Sequence, residues 1–95
     1  MHIRDTPRGP VLMFDDGVST SISMSQATVL TALMARKACA AADLARLVWP
    51  NGRGFPASWR QIVAAYVRRL RRAGVAIVTV RGKGYALEEG DDRGS

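Results

Sequence analysis

The stretch Ser58-Trp59-Arg60-Gln61-Ile62-Val63-Ala64-Ala65-Tyr66-Val67-Arg68-Arg69-Leu70-Arg71-Arg72-Ala73-Gly74 decides the fold, because a single period runs through it. At about 100° per residue, Trp59, Ile62, Val63, Tyr66, Val67 and Leu70 share one arc, and Arg60, Gln61, Ala64, Ala65, Arg68, Arg71 and Arg72 share the other. The spacing predicts a helix to about Ala73. Ser58 and Gln61 stand at capping-box distance at its start, and Gly74, the residue that best tolerates a left-handed turn, ends it. One arc packs on a core and the other faces out. Two small residues, Ala64 and Ala65, sit in the middle of the outer arc among long Arg and Gln side chains. That arrangement lets a helix backbone approach a duplex, and a major groove about 12 Å wide accepts such a helix.

Downstream, Val75 to Val80 is a β-branched run, and Arg81-Gly82-Lys83-Gly84 turns it back through Tyr85, Ala86 and Leu87. A hairpin follows, with Val78, Val80, Tyr85 and Leu87 expected toward the core and Arg81 and Lys83 at the tip, placed to enter a minor groove or hold a backbone. Upstream, Asp43, Leu44, Leu47, Val48 and Trp49 mark a short helix that Pro50 and the loop Asn51-Gly52-Arg53-Gly54 terminate. Before it, Ser23 and Gln26 form another capping-box pair, and Val29, Leu30, Leu33 and Met34 predict a helix from about Met24 to Lys37. Val11 to Phe14, the turn Asp15-Asp16-Gly17 and Ser19 to Ile22 read as a hairpin. Residues 1–10, with Pro7, Gly9 and Pro10, read as a flexible arm, and residues 89–95 as a flexible acidic tail. Residues 11–88 are then the folded domain, in a chain whose 95 residues suit one domain.

Charge follows the same division. Seven of the fourteen Lys and Arg residues lie between Arg60 and Lys83, with no Asp or Glu among them, while the whole chain has net charge +6. An ordinary solvated face interleaves acids with bases, so this segment points instead to a polyanionic partner. Trp49 and Tyr66, aromatic at apolar helical spacing, are read as packing residues. Cys39 is a lone cysteine, which rules out an internal disulfide, and His2 is the only histidine, so no ordinary metal site is expected. Gly82-Lys83-Gly84 lacks the spacing of a nucleotide loop and precedes a strand. Apart from Asp43 the acids lie at the chain ends, and nothing is placed to activate a nucleophile, so the chain is not expected to be an enzyme. No cofactor is expected. The absence of a signal-like stretch or an apolar run of membrane-spanning length suggests a cytoplasmic protein with no membrane partner.

These markers together resemble the winged-helix effector domain of OmpR/PhoB-type response regulators. The resemblance covers roughly residues 11–88 and rests on Ile22-Ser23, Gln26 and Val29-Leu30, on Leu44 with Val48-Trp49, on Val67 with Arg69-Leu70-Arg71, and on Thr79-Val80-Arg81-Gly82-Lys83-Gly84-Tyr85. It implies an α+β winged helix-turn-helix with an N-terminal β-hairpin, three helices and a C-terminal β-hairpin wing. It also implies base contact by Arg69, minor-groove contact by Arg81 and a place near DNA for Thr79. Arg68, Arg71, Tyr66 and Trp49 match positions that meet the backbone or support the helix.

The resulting expectation is a sequence-specific double-stranded DNA-binding transcriptional regulator. Its contact set is Arg60, Gln61, Ala64, Ala65, Arg68, Arg69, Arg71, Arg72, Thr79, Arg81 and Lys83. Two readings stand beside it: a winged-helix adaptor whose basic face meets an acidic protein surface, for example to modulate RNA polymerase, and a non-specific architectural DNA binder. The resemblance further suggests a homodimer or tandem binding on DNA. No receiver-type domain precedes residue 11, so phosphorelay control is not expected, and a stand-alone or phage-encoded regulator is.

Overall fold

Ser23 and Gln26 set the first helix. The Ser23 N–H donates to Gln26 Oε1 at 2.7 Å and the Gln26 N–H donates to Ser23 Oγ at 3.1 Å, so both halves of the capping box are made. The computed structural model describes residues 1–50 and 56–88, and the loop Asn51-Gly52-Arg53-Gly54 and the tail 89–95 lie outside them. The elements run β1 (His2–Thr6), β2 (Gly9–Met13), β3 (Ser19–Ser21), α1 (Met24–Ala35), α2 (Ala41–Val48), α3 (Trp59–Arg72), β4 (Ile77–Val80) and β5 (Gly84–Leu87). This is the expected α+β architecture of three helices between two antiparallel β units.

The N-terminal unit is larger than the sequence suggested. Residues 1–10, expected as a flexible arm, instead supply β1 and the start of β2, giving a three-stranded sheet of order β1-β2-β3. The residues read as breakers build the turn. Pro7-Arg8 links Thr6 to Gly9, whose φ of +119° suits glycine, and the Thr6 hydroxyl closes the turn by donating to the Gly9 carbonyl at 2.7 Å. Ile3 then sits opposite the fully buried Leu12. The predicted turn at Asp15-Asp16-Gly17 is present, with Phe14 N–H donating to Val18 O and Val18 N–H to Asp16 Oδ1.

The helices meet over one core. Leu12 of β2, Val29, Leu30 and Leu33 of α1, Leu44 of α2, and Val63, Val67 and Leu70 of α3 are all at most 1% exposed. Burying each Leu or Val contributes roughly 1.5–3 kcal/mol relative to leaving it in water. Cys39, 2% exposed, belongs to this core, and burial pushes its thiol up from the ordinary value, with Arg36 opposing and Asp43 reinforcing the shift. α1 stops at Ala35, short of Lys37, because Arg36 is already extended at φ −132°. α3 ends as predicted at Gly74. Gly74 N–H donates to Arg71 O and Val75 N–H to Leu70 O, the paired bonds of a Schellman stop, and Gly74 has φ +109°.

Two local expectations fail. Ser58 makes no side-chain cap on α3, because its backbone (φ −91°, ψ 24°) is not the extended conformation a cap needs and a turn runs from Pro56 O to Trp59 N–H instead. The wing's faces also differ from the expected set. Register pairs Val78 with Ala86 and Thr79 with Tyr85, so Val78 and Val80 lie on the opposite face from Tyr85 and Leu87. Ile77 and Ala86 are the buried pair of positions, one from each face, and Val78 is 39% exposed. The free edge of β5 is covered by the Cys39 segment: Cys39 N–H donates to Tyr85 O and Tyr85 N–H to Cys39 O, each at 2.8 Å.

Candidate nucleic-acid interface

α3 presents its polar arc as the period predicts. Val63, Val67 and Leu70 are buried, whereas Arg60, Gln61, Arg68, Arg69, Arg71 and Arg72 are exposed, and Ala64 and Ala65 are half-buried between them. Arg68 is on the middle of the outward arc. Arg69 is about 100° further round, near Ile62, and is also exposed. Trp59 and Tyr66 pack against the core, as does Trp49, in agreement with their apolar spacing.

The wing stands beside the start of α3. Thr79, Arg81 and Lys83 are exposed. Gly82, at φ +76°, turns the tip, and Lys83 N–H closes it on Val80 O at 2.9 Å. Between the wing, the α2 N-terminus at Ala40–Ala42 and the first turn of α3 lies an open cleft of about 570 Å3, into whose lining Arg60, Thr79, Arg81 and Lys83 all enter. The structure thus brings the wing-tip bases and the start of α3 to a single hollow. Arg68, Arg69 and Arg72 continue the basic surface along α3.

No carboxylate covers this surface among the described residues. The ion pairs of the described residues are Arg46 with Asp43, three residues apart on α2, and the N-terminal amine with Asp15 at 2.8 Å, which holds the Asp15 carboxyl below its ordinary value. Neither involves α3 or the wing. Exposed cations without local counter-charges leave a positive field along the whole face.

Three of the expected contact residues, Arg60, Arg71 and Thr79, have intramolecular partners. The Arg60 guanidinium lies over the Trp59 ring at 5.1 Å from its centroid, a cation–π contact that limits its freedom. Arg71 Nε donates to the Ile77 carbonyl at 2.8 Å and its terminal nitrogen donates to Thr79 Oγ1 at 3.1 Å. Arg71 therefore ties the last turn of α3 to β4. Sequence reasoning put Arg71 and Thr79 in the contact set and missed this bond between them, because eight positions separate them and no periodicity couples a helix to the strand that follows it. It also missed Gly84. A Cβ there would stand 2.0 Å from the Cys39 carbonyl oxygen, so only glycine lets the wing lie against the Cys39 segment.

This arrangement, two α-helices leading to an exposed third and a β-hairpin beside it, is a winged helix. Among solved structures the chain is similar to the crystal structure of the DNA-binding domain of Bacillus subtilis CssR, at TM-score 0.69 and 21% sequence identity, over 92% of this chain and 100% of that one. No protein-family model matches the chain, and no curated protein does.

Proposed function

We propose that the protein is a transcriptional regulator that binds double-stranded DNA with sequence preference, α3 lying in the major groove and the wing reaching the adjacent minor groove. The observation that carries this reading is the set of exposed bases on α3 and the wing, Arg60, Arg68, Arg69, Arg72, Arg81 and Lys83, with no carboxylate paired to them among the described residues. The similar fold of a domain described as DNA-binding supports the same partner. Arg68, Arg72 and Lys83 take phosphates, which positions the domain, and Arg69 and Gln61 read base edges, since Arg bidentate to guanine and Gln bidentate to adenine are the pairings major-groove geometry favours. Ala64 and Ala65 allow close approach, and Arg81 enters the minor groove. Arg71 and Thr79 act chiefly by fixing where the wing stands.

A gel-shift titration on genomic fragments with excess random competitor tests this. The expected result is a fragment retained when the competitor has displaced the rest. Uniform retardation of all fragments makes the protein an architectural binder, and no shift at low salt makes the basic face a surface for an acidic protein such as a polymerase subunit.

A further inference from the structure

Arg60 differs from the other exposed bases of α3 in what holds it. Its guanidinium lies over the Trp59 ring at 5.1 Å from the centroid, and Trp59 is itself packed against the core. An arginine side chain ordinarily has many rotamers, and ordering it for a contact costs entropy. A guanidinium stacked on a fixed ring has already lost much of that freedom. Stacking occupies only the flat face, and the N–H donors lie in the guanidinium plane, so their outer edge stays open to an acceptor. No ion pair among the described residues uses it. Arg60 also enters the lining of the cleft between the wing and the first turn of α3, together with Thr79, Arg81 and Lys83. No acid lines that cleft, and the small residues Ala40, Ala41 and Ala42 form another of its walls.

We propose that this cleft is a saddle for one sugar–phosphate strand, that Arg60 and Lys83 hold its phosphates from the α3 side and the wing side, and that Trp59 is a positioning residue which presents Arg60 to them. The inference rests on the docking proposed above. On a duplex the major groove and the adjacent minor groove are separated by a single sugar–phosphate ridge. With α3 in one groove and the wing in the next, that ridge passes through the hollow between them, and the hollow between them is this cleft. The alanines of its third wall carry no long side chain to keep the strand out. The stacked guanidinium stays on Trp59 in the complex and donates from its edge, so Trp59 lowers the entropy lost when the contact forms without touching DNA itself.

Anisotropy titrations of the whole chain on a preferred fragment and on a random-sequence duplex, each at several salt concentrations, test the proposal through a double-mutant cycle. Arg60→Ala should reduce the salt slope by about 0.9 and weaken binding by about five- to tenfold at about 0.1 M salt, equally on both duplexes. Trp59→Leu should weaken binding by about two- to fivefold and leave the slope unchanged, because Arg60 still reaches its phosphate. Trp59→Phe, which keeps an aromatic face and most of the packing, should recover part of that loss. In the Arg60→Ala background both Trp59 substitutions should have no further effect, a result that a purely structural tryptophan would not give. Thermal melting checks that each variant is folded, and if Trp59→Leu is not, Trp59→Phe in the two backgrounds completes the cycle with a smaller amplitude. The contact is overturned by an Arg60→Ala chain that keeps the parent affinity and slope. The positioning role is overturned by a Trp59 effect of equal size in both backgrounds, or by a Trp59→Leu chain that binds more tightly, which would mean that the ring withholds Arg60 from DNA. A parent chain that binds neither duplex overturns the DNA-binding reading itself, before any variant is compared.

Discussion

Arg68 and Arg69 are adjacent in the chain and differ by about 100° around α3, and on the proposed docking that angle separates two kinds of contact. Arg68, at the middle of the outward arc, meets a phosphate, so Arg68→Ala should weaken cognate and random duplexes by the same factor. Arg69→Ala should cost about 1–3 kcal/mol on the preferred site and much less on random DNA. Anisotropy titrations of both variants on both duplexes measure this, and equal losses for the two variants on the two duplexes would remove the distinction. Gly84 is a position of the opposite kind, whose importance is to folding. Its φ is +122° and a Cβ would collide with the Cys39 backbone, whereas Gly82, at φ +76°, has nothing within 4 Å of where its Cβ would be. Gly82→Ala should therefore cost only the left-handed penalty of about 1–2 kcal/mol. Gly84→Ala should cost clearly more, because the strand must also separate from the Cys39 segment, and urea denaturation of the two variants decides it.

Among the elements, the bond from α3 to β4 through Arg71 fixes the spacing between the two parts proposed to meet DNA. Arg71→Met keeps most of the apolar stem and removes both hydrogen bonds. Stability should fall by about 1 kcal/mol, since the pair at Thr79 is exposed and partly replaced by water. The β4 and β5 amides should exchange faster with solvent, which hydrogen exchange detects. The salt slope of DNA binding should not change, and a slope smaller by about one phosphate's worth would show that Arg71 is a backbone contact instead. This bond also marks where the sequence stops being legible. α3 could be read because fourteen residues repeat one period, and the first capping box because Ser23 and Gln26 bond within one turn. β1 could not, since Ile3 alone of its five residues is strongly apolar and Pro7 and Gly9, which make a hairpin turn, look the same as residues that end structure. Ser58 carried the right spacing and the wrong backbone angle, in a turn closed by Trp59 N–H on the Pro56 carbonyl. The exposed bases of the site were legible from composition. The wing's faces follow from the register that pairs Val80 with Gly84 across the turn, and the run of β-branched residues does not by itself say where that turn falls.

For the whole molecule, the distribution of charge governs behaviour more than its total. A chain of net charge +6 with evenly spread bases would touch a duplex weakly at any orientation, whereas here seven of the fourteen bases are concentrated on α3 and the wing tip. If about four to six basic groups neutralise phosphates, log affinity should fall with log salt at about −0.9 per contact, a total slope of about −3.6 to −5.4. Raising salt from about 50 to 200 mM should then weaken binding by about 10²- to 10³-fold. The slope should be the same on preferred and random DNA to within about one contact, because the phosphates meet the same side chains in both; the preference should appear as an offset between parallel lines. Titrations at four or more salt concentrations measure both quantities together. A slope near zero with affinity retained would mean that apolar or base contacts alone hold the duplex, which this basic face is not built to provide. Lines that converge with rising salt would locate the preference in additional phosphate contacts on the chosen site, and so in the shape of that DNA and not in Arg69.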